Sequence, residues 1–284
     1  MNFVPIVFDD SNRVRSGWRA AAYVISCFIT AVVGATLLGG LLIGMGVPLD
    51  GTSPIPMVLQ FVVFCSPVIF FGWLYGRVFE KLPFRALGVW FTGGWFRDLL
   101  VGLAFGALSL LIVAAIVFGA GFAVFERNSA SGSGAIAETL LRTLVIFVAG
   151  AAFEESFLRG YFLQTFFRSR LAVFGIIFTS LVFATLHNAN PGANVLTWSN
   201  TFLAGIWLAV AYEKTRSLWF PFGIHLAWNW VQGSVLGIPV SGLEKLAPDP
   251  LLRGSLSGPE WLSGGNYGLE GGIACTIGLI VSTV

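Results

Sequence analysis

Two adjacent carboxylates, Glu154 and Glu155, precede Arg159 in an otherwise apolar stretch. The two histidines of the chain, His187 and His225, follow, and Asn229 stands four residues after the second. Such a set suits hydrolysis. A carboxylate can take a proton from water, and an imidazole can orient that water or protonate a leaving amine. A second imidazole and a carboxamide can stabilise a tetrahedral oxyanion. No serine or cysteine stands at a motif-like spacing from a base, and the HExxH pattern of zincins is absent. A metal held by Glu and His is chemically compatible with the same residues.

Helical geometry separates the two carboxylates. Glu155 and Arg159 are four apart, on one face, with the acid N-terminal to the base, the favoured order for an ion pair. Glu154 points about 100° away, onto a face suited to proton exchange with a substrate. The bland alternative is that the helix ends near Phe153 and the charges lie in a solvated interface; the apolar run from Tyr161 to Phe167 argues against it. Phe183 and His187, one turn apart, stack on one face, and so do His225 and Asn229. Each pair taken singly reads equally well as helix-packing glue. Depth favours a common site. At 1.5 Å per residue, Glu154, His187, His225 and Asn229 lie roughly 21, 25, 13 and 19 Å above the basic residues Arg168, Arg170 and Arg216 that mark the ends of their helices.

These residues must be positioned by membrane helices. The chain has 284 residues, of which 56% are hydrophobic and 11% charged, with mean hydropathy +0.83. A soluble domain carries roughly 25% charged residues. That excludes an ordinary soluble enzyme and a disordered chain. A net charge of +2 gives no footprint for nucleic acid. Cys27, Cys65 and Cys275 lie in apolar runs and form no CxxC pair. Residues 20–49, 51–76, 99–125, 171–212 and 217–243 contain no Asp, Glu, Lys or Arg, and a crossing takes about 20 apolar residues. The turn-forming cluster at 187–192 divides the longest stretch.

The expected fold is therefore all-α, a polytopic transmembrane bundle of about eight helices. They fall near 20–43, 55–78, 97–124, 138–167, 171–188, 195–213 and 217–237, with a shorter eighth at 271–284. The first apolar run is too long for a cleavable signal and reads as a retained anchor. Lys and Arg number 12 in the segments assigned to the inside and 4 in those assigned outside, which places both termini in the cytoplasm. Residues 1–19 form a cytoplasmic tail and 20–284 one catalytic domain, with its motif core at 138–237. Trp18, Trp73, Trp90, Trp95, Trp219 and Trp261 fall near span ends. Residues 81–88 read as an interfacial elbow and 255–272 as an ordered, Gly-rich outer loop. Gly40-x3-Gly44 and Gly102-x3-Gly106 read as close-packing faces.

Glu-Glu-x3-Arg at 154–159, Phe-x3-His at 183–187 and His-x3-Asn at 225–229 occur in this order on successive polar-bearing helices. This pattern resembles the CPBP family, the CAAX proteases and bacteriocin-processing enzymes, also called the Abi family. The segment from Gly258-Pro259-Glu260-Trp261-Leu262 through Gly264-Gly265 also looks like the region after the last motif in bacterial members. The resemblance implies an eight-helix intramembrane endopeptidase. It implies Glu154 as the residue that activates water, His187 as its partner, and His225 and Asn229 as oxyanion stabilisers, with Glu155, Arg159 and Phe183 in support. The family is often called metalloprotease, while a metal-free glutamate-activated water has also been proposed for it. The second is favoured because Asn is a poor metal ligand and a good oxyanion donor. If an ion is present, zinc held by Glu154, His187 and His225 is the expected form.

The expected partners are the lipid bilayer and a peptide or protein substrate, and the expected location is a bacterial plasma membrane. The rival class is a proton- or ion-coupled transporter that uses the same buried residues as a relay; such carriers usually carry internal repeats, and none is visible. The topology is directly testable. In a cysteine-free background, a cysteine introduced at Gly192 should react with a membrane-impermeant reagent added outside. Labelling from the cytoplasmic side alone would overturn the assignment.

Overall fold

The computed structural model describes residues 4–9, 13–47 and 54–283. The remainder of the expected tail and the last residue of the eighth segment lie outside these. Eight longer helices are numbered here in chain order: α1 Ser16–Gly44, α2 Pro54–Glu80, α3 Trp95–Gly119, α4 Ser133–Phe157, α5 Ala172–Leu186, α6 Val195–Thr215, α7 Trp219–Trp230 and α8 Ile273–Thr283. Two short strands, β1 Ala123–Arg127 and β2 Leu252–Leu256, pair antiparallel in the register Ala123↔Leu256 to Arg127↔Leu252. The chain is an all-α polytopic bundle, as expected. Among the described residues six helices are long and apolar enough to cross a membrane.

The chain divides into two compact units. The first is 1–93 with 149–175, and the second is 94–148 with 176–284. The N-terminal part of α4 thus belongs to the second unit and its C-terminal part to the first.

In the first unit α1 packs along α2. A methyl at Gly34 would stand 2.8 Å from a Val63 methyl, so glycine permits the close approach. Ser26 and Tyr75 share a hydroxyl hydrogen bond of 2.7 Å. The C-terminal part of α4 joins through aromatic rings: Tyr23 lies 6.0 Å from Phe157 and 5.4 Å from Tyr161. At one end of this unit Glu80 bridges two guanidinium groups, 2.5 Å from Arg19 and 2.6 Å from Arg168. The start of α1, the end of α2 and the continuation of α4 therefore meet at one level, as the basic-residue count requires if that level is the cytoplasmic interface. The elbow is pinned there too, because the Gln164 amide donates to the Leu87 carbonyl at 2.9 Å. The opposite face of α1, with Phe28, Leu37 and Leu41, is exposed, which suits contact with lipid.

The second unit holds a contiguous apolar core. Leu110, Val113 and Val117 of α3, Leu208 of α6, Ile224 of α7 and Leu279 of α8 are buried in it. Its tightest contact is between α3 and α7. A Cβ at Gly102 or Gly106 would collide with the Phe220 and Ile224 carbonyl oxygens, and one at Gly223 would stand 2.6 Å from the Leu99 oxygen. The Gly102-x3-Gly106 pattern is a close-packing face. Gly40 and Gly44, with the same spacing, have nothing within reach of a Cβ, so the motif alone did not decide the contact.

Several boundaries differ from expectation. The third helix stops at Gly119, and residues 123–127 leave as a strand, because Gly121 at φ 78° turns the chain and β2 offers a ladder. The seventh helix is α-helical over only 12 residues and continues as a π-helical turn, Val231–Val235, so it is shorter than the full span expected at 217–237. The turn at 187–192 is confirmed. Asn194 then caps α6, its side chain accepting from the Leu196 and Thr197 amides at 2.9 and 3.1 Å, an N-terminal capping box.

The α3–α7 contact yields a prediction. Because the atoms facing Gly106 are backbone, Gly106→Val should destabilise the protein by at least the ~1–3 kcal/mol of ordinary overpacking, whereas Gly40→Val should leave stability unchanged. Thermal unfolding in detergent measures both.

Candidate active site

The Glu154–Arg159 motif lies at the end of α4, which does not stop there. It passes into a π-helical turn, Leu158–Phe162, in which Gly160 adopts φ −69°, ψ −131°, outside the helical region. A final α-helical segment, Leu163–Arg168, follows. Single π turns inside α-helices occur frequently at functional sites. The other π turn, Val231–Val235, directly follows the His225–Asn229 motif. Neither was legible in residue spacing, since π turns have no hydrophobic period of their own.

Glu155 and Arg159 form the expected ion pair at 3.0 Å, with both side chains 1% exposed. Glu154 is half-buried, and its Oε2 atom is shielded from solvent.

In the second unit Phe183, His187 and His225 come together. Phe183 is buried and meets both imidazoles edge to face, with ring centroids 4.6 Å from His187 and 6.1 Å from His225. His187 is the first residue past the α-helical part of α5. Its Nδ1 lies 2.8 Å from the Phe183 carbonyl oxygen. A carbonyl only accepts, so Nδ1 carries the proton in the neutral ring, and Nε2 is the nitrogen with a lone pair. Helix termini leave carbonyls lacking intrahelical partners, which explains why the ring turns back onto its own helix. His225 is buried and Asn229 half-buried, one turn apart on α7.

Two further residues on this helix and its surroundings escaped the sequence reading. Trp228, between His225 and Asn229, donates its indole N–H to Glu270 Oε1 at 3.0 Å. Glu270 lies in the Gly-rich segment between β2 and α8. Burial first, and then the Glu270 charge, push the neighbouring Tyr267 hydroxyl above its usual pKa. The only available signal was one of two acids, with Glu260, in a Gly-rich loop, which by itself reads as a solvated residue.

The family model described as type II CAAX prenyl endopeptidase Rce1-like matches residues 136–231. That segment contains all three motifs. The match covers about a third of the chain. No curated protein and no solved structure gives a significant match. The match supports, in general terms, a membrane protease of CAAX type, and the long apolar helices agree with an integral multi-pass membrane protein.

A zinc site needs three or four protein donors. Among the described residues no group of three or more His, Cys, Asp and Glu side chains could hold a metal ion.

The buried ion pair makes a testable contrast. Glu155→Gln leaves the Arg159 guanidinium buried without its main counter-ion and should cost on the order of 3–5 kcal/mol. Replacing both, Glu155→Leu with Arg159→Leu, should recover most of that loss, because the desolvation of both charges is then avoided. Unfolding measurements on the single and double variants check this, and Glu154→Gln should lose less than Glu155→Gln.

Proposed function

We propose that the chain is an endopeptidase in which Glu154 activates water and His187, His225 and Asn229 complete the chemistry, without a metal. The Glu154 carboxylate removes a proton from water as the oxygen attacks the peptide carbonyl carbon. The carbonyl π electrons move to oxygen, and that oxyanion accepts hydrogen bonds from the His225 ring and the Asn229 carboxamide. When the C–N bond breaks, the proton taken up at Glu154 passes to the leaving nitrogen, with His187 Nε2 holding the water in line or relaying the proton. Glu155 and Arg159 fix the face of α4 that carries Glu154. The substrate is a peptide or protein segment within the membrane, and the location is a bacterial plasma membrane.

The observation that supports this reading best is the packing of one ring, Phe183, against both histidines. With His187 Nδ1 committed to the Phe183 carbonyl, Nε2 is left for proton transfer. Two imidazoles held by a shared wedge on different helices are costly to build for packing alone.

A peptidase assay on purified protein in lipid vesicles tests the reading. Glu154→Gln should lower cleavage by several orders of magnitude while remaining folded. Asn229→Ala should cost about 10²–10³ in rate, the usual effect of removing one oxyanion donor. Wild-type activity in Glu154→Gln would refute the role of Glu154. Activity should survive exhaustive chelation; its loss, with return on adding zinc, would refute the metal-free route. Ion flux without cleavage would favour a carrier.

A further inference from the structure

Helix α7 carries His225 and Asn229, but its regular ladder ends at Trp230, where the π turn begins. His225 and Asn229 lie within that ladder and the pitch changes two residues after Asn229, so contacts from outside the helix add to its own hydrogen bonds in fixing their rotation. The Glu270 carboxylate accepts the Trp228 indole N–H on Oε1, and on Oε2 it accepts both the Ser241 amide and the Ser241 hydroxyl, each at 2.7 Å. One acid thus ties α7 to the loop that follows it.

Glu270 is itself fixed. The Asn200 carboxamide of α6, 1% exposed, donates to the Glu270 and Gly272 carbonyl oxygens at 2.8 and 2.9 Å. The Thr276 hydroxyl of α8 donates to Asn200 Oδ1 at 2.6 Å. Glycine is required at Gly268, which sits at φ 98° with the Pro239 carbonyl oxygen where a Cβ would be. On its other side the Trp228 ring packs at 5.6 Å against Trp207 of α6. The indole is therefore held by its ring in the core and by its N–H on a charged acceptor, one of the stronger kinds of hydrogen bond.

We infer that Glu270 is a positioning residue: through the Trp228 N–H it fixes the rotation of the α7 turn that presents His225 and Asn229. The inference rests on the proposed hydrolytic role of those two residues. Glu270 touches no reacting atom in this scheme and acts on rate alone. A displacement of about 1 Å in a catalytic group can cost 10²-fold, so a loosened turn lowers kcat without weakening substrate binding.

The test uses Glu270→Gln, Trp228→Phe and the double variant in the full chain. A carboxamide offers one oxygen to three converging donors, so Glu270→Gln breaks the clamp while keeping shape. Trp228→Phe removes the N–H from its end. Each single variant should lower kcat about 10- to 100-fold with KM little changed. The double should be no worse than the poorer single, because both break one link. Unchanged kcat in the folded single variants, or multiplying effects, would overturn the inference, as would a loss confined to melting temperature. A second measurement does not depend on cleavage. The chain has two histidines, so ring-labelled histidine gives two signals, assigned with His187→Gln. In both single variants the His225 ring should shift its resonance and titration while His187 stays in place. An unmoved His225 would refute the clamp even if no peptide is cleaved by the wild type, whereas a moved His225 in a protein without peptidase activity would refute the hydrolytic reading and leave the clamp standing. Should Glu270→Gln fail to fold, Trp228→Phe alone carries both measurements.

Discussion

A guanidinium and a carboxylate 3.0 Å apart, each 1% exposed, sit where α4 passes into its π turn. In a low-dielectric interior neither charge is tolerable without the other. Arg159 and Glu155 therefore bind the last α-helical turn of α4 to one rotation and turn Glu154 onto another face. The aromatic residues of the same stretch, Phe153, Phe157 and Tyr161, contact α1 and α2. After Phe157 the helix widens into a π turn that contains Arg159. The charged pair and the irregular backbone thus occupy the same stretch, and the aromatic contacts of the first unit hold both.

The second unit solves a different problem. The orientation of its imidazoles depends on packing and on hydrogen bonds at helix ends. Phe183 separates the histidines, the Phe183 carbonyl sets the tautomer of His187, and the interlocked glycines of α3 and α7 bring the His225 helix as near to its neighbour as two backbones allow. The Gly-rich segment after β2 reaches back to α7 through Glu270. Apart from the Phe183–His187 contact, which spans one helical turn, these contacts join residues far apart in sequence.

Much of the fold and the site was legible in the residues. Charge-free runs located the helices because an apolar bilayer admits few charges at any position. The i,i+4 spacing foretold the Glu155–Arg159 pair because helical geometry is local. The motif order placed the chemistry on α4, α5 and α7, inside the segment that matches the endopeptidase family. What could not be read were events decided by a distant partner. Residues 123 and 124 were expected to end the third helix and instead open a strand, because β2, more than a hundred residues later, completes the ladder. Two glycine pairs of equal spacing had different fates, because only Gly102 and Gly106 have a partner backbone opposite them.

The sequence by itself determined that this is a membrane bundle, where its helices lie, and that Glu154, His187, His225 and Asn229 are its chemically distinctive residues. Hydropathy, helical period and polar residues out of place are properties of single segments, readable one segment at a time. Only the tertiary structure decided that Phe183 serves both histidines, that α4 and α7 break into π turns beside their motifs, and that an acid in a Gly-rich loop holds Trp228. Those outcomes depend on which backbone and which donor arrive from elsewhere in the chain, and no local pattern in the residues encodes an arrival.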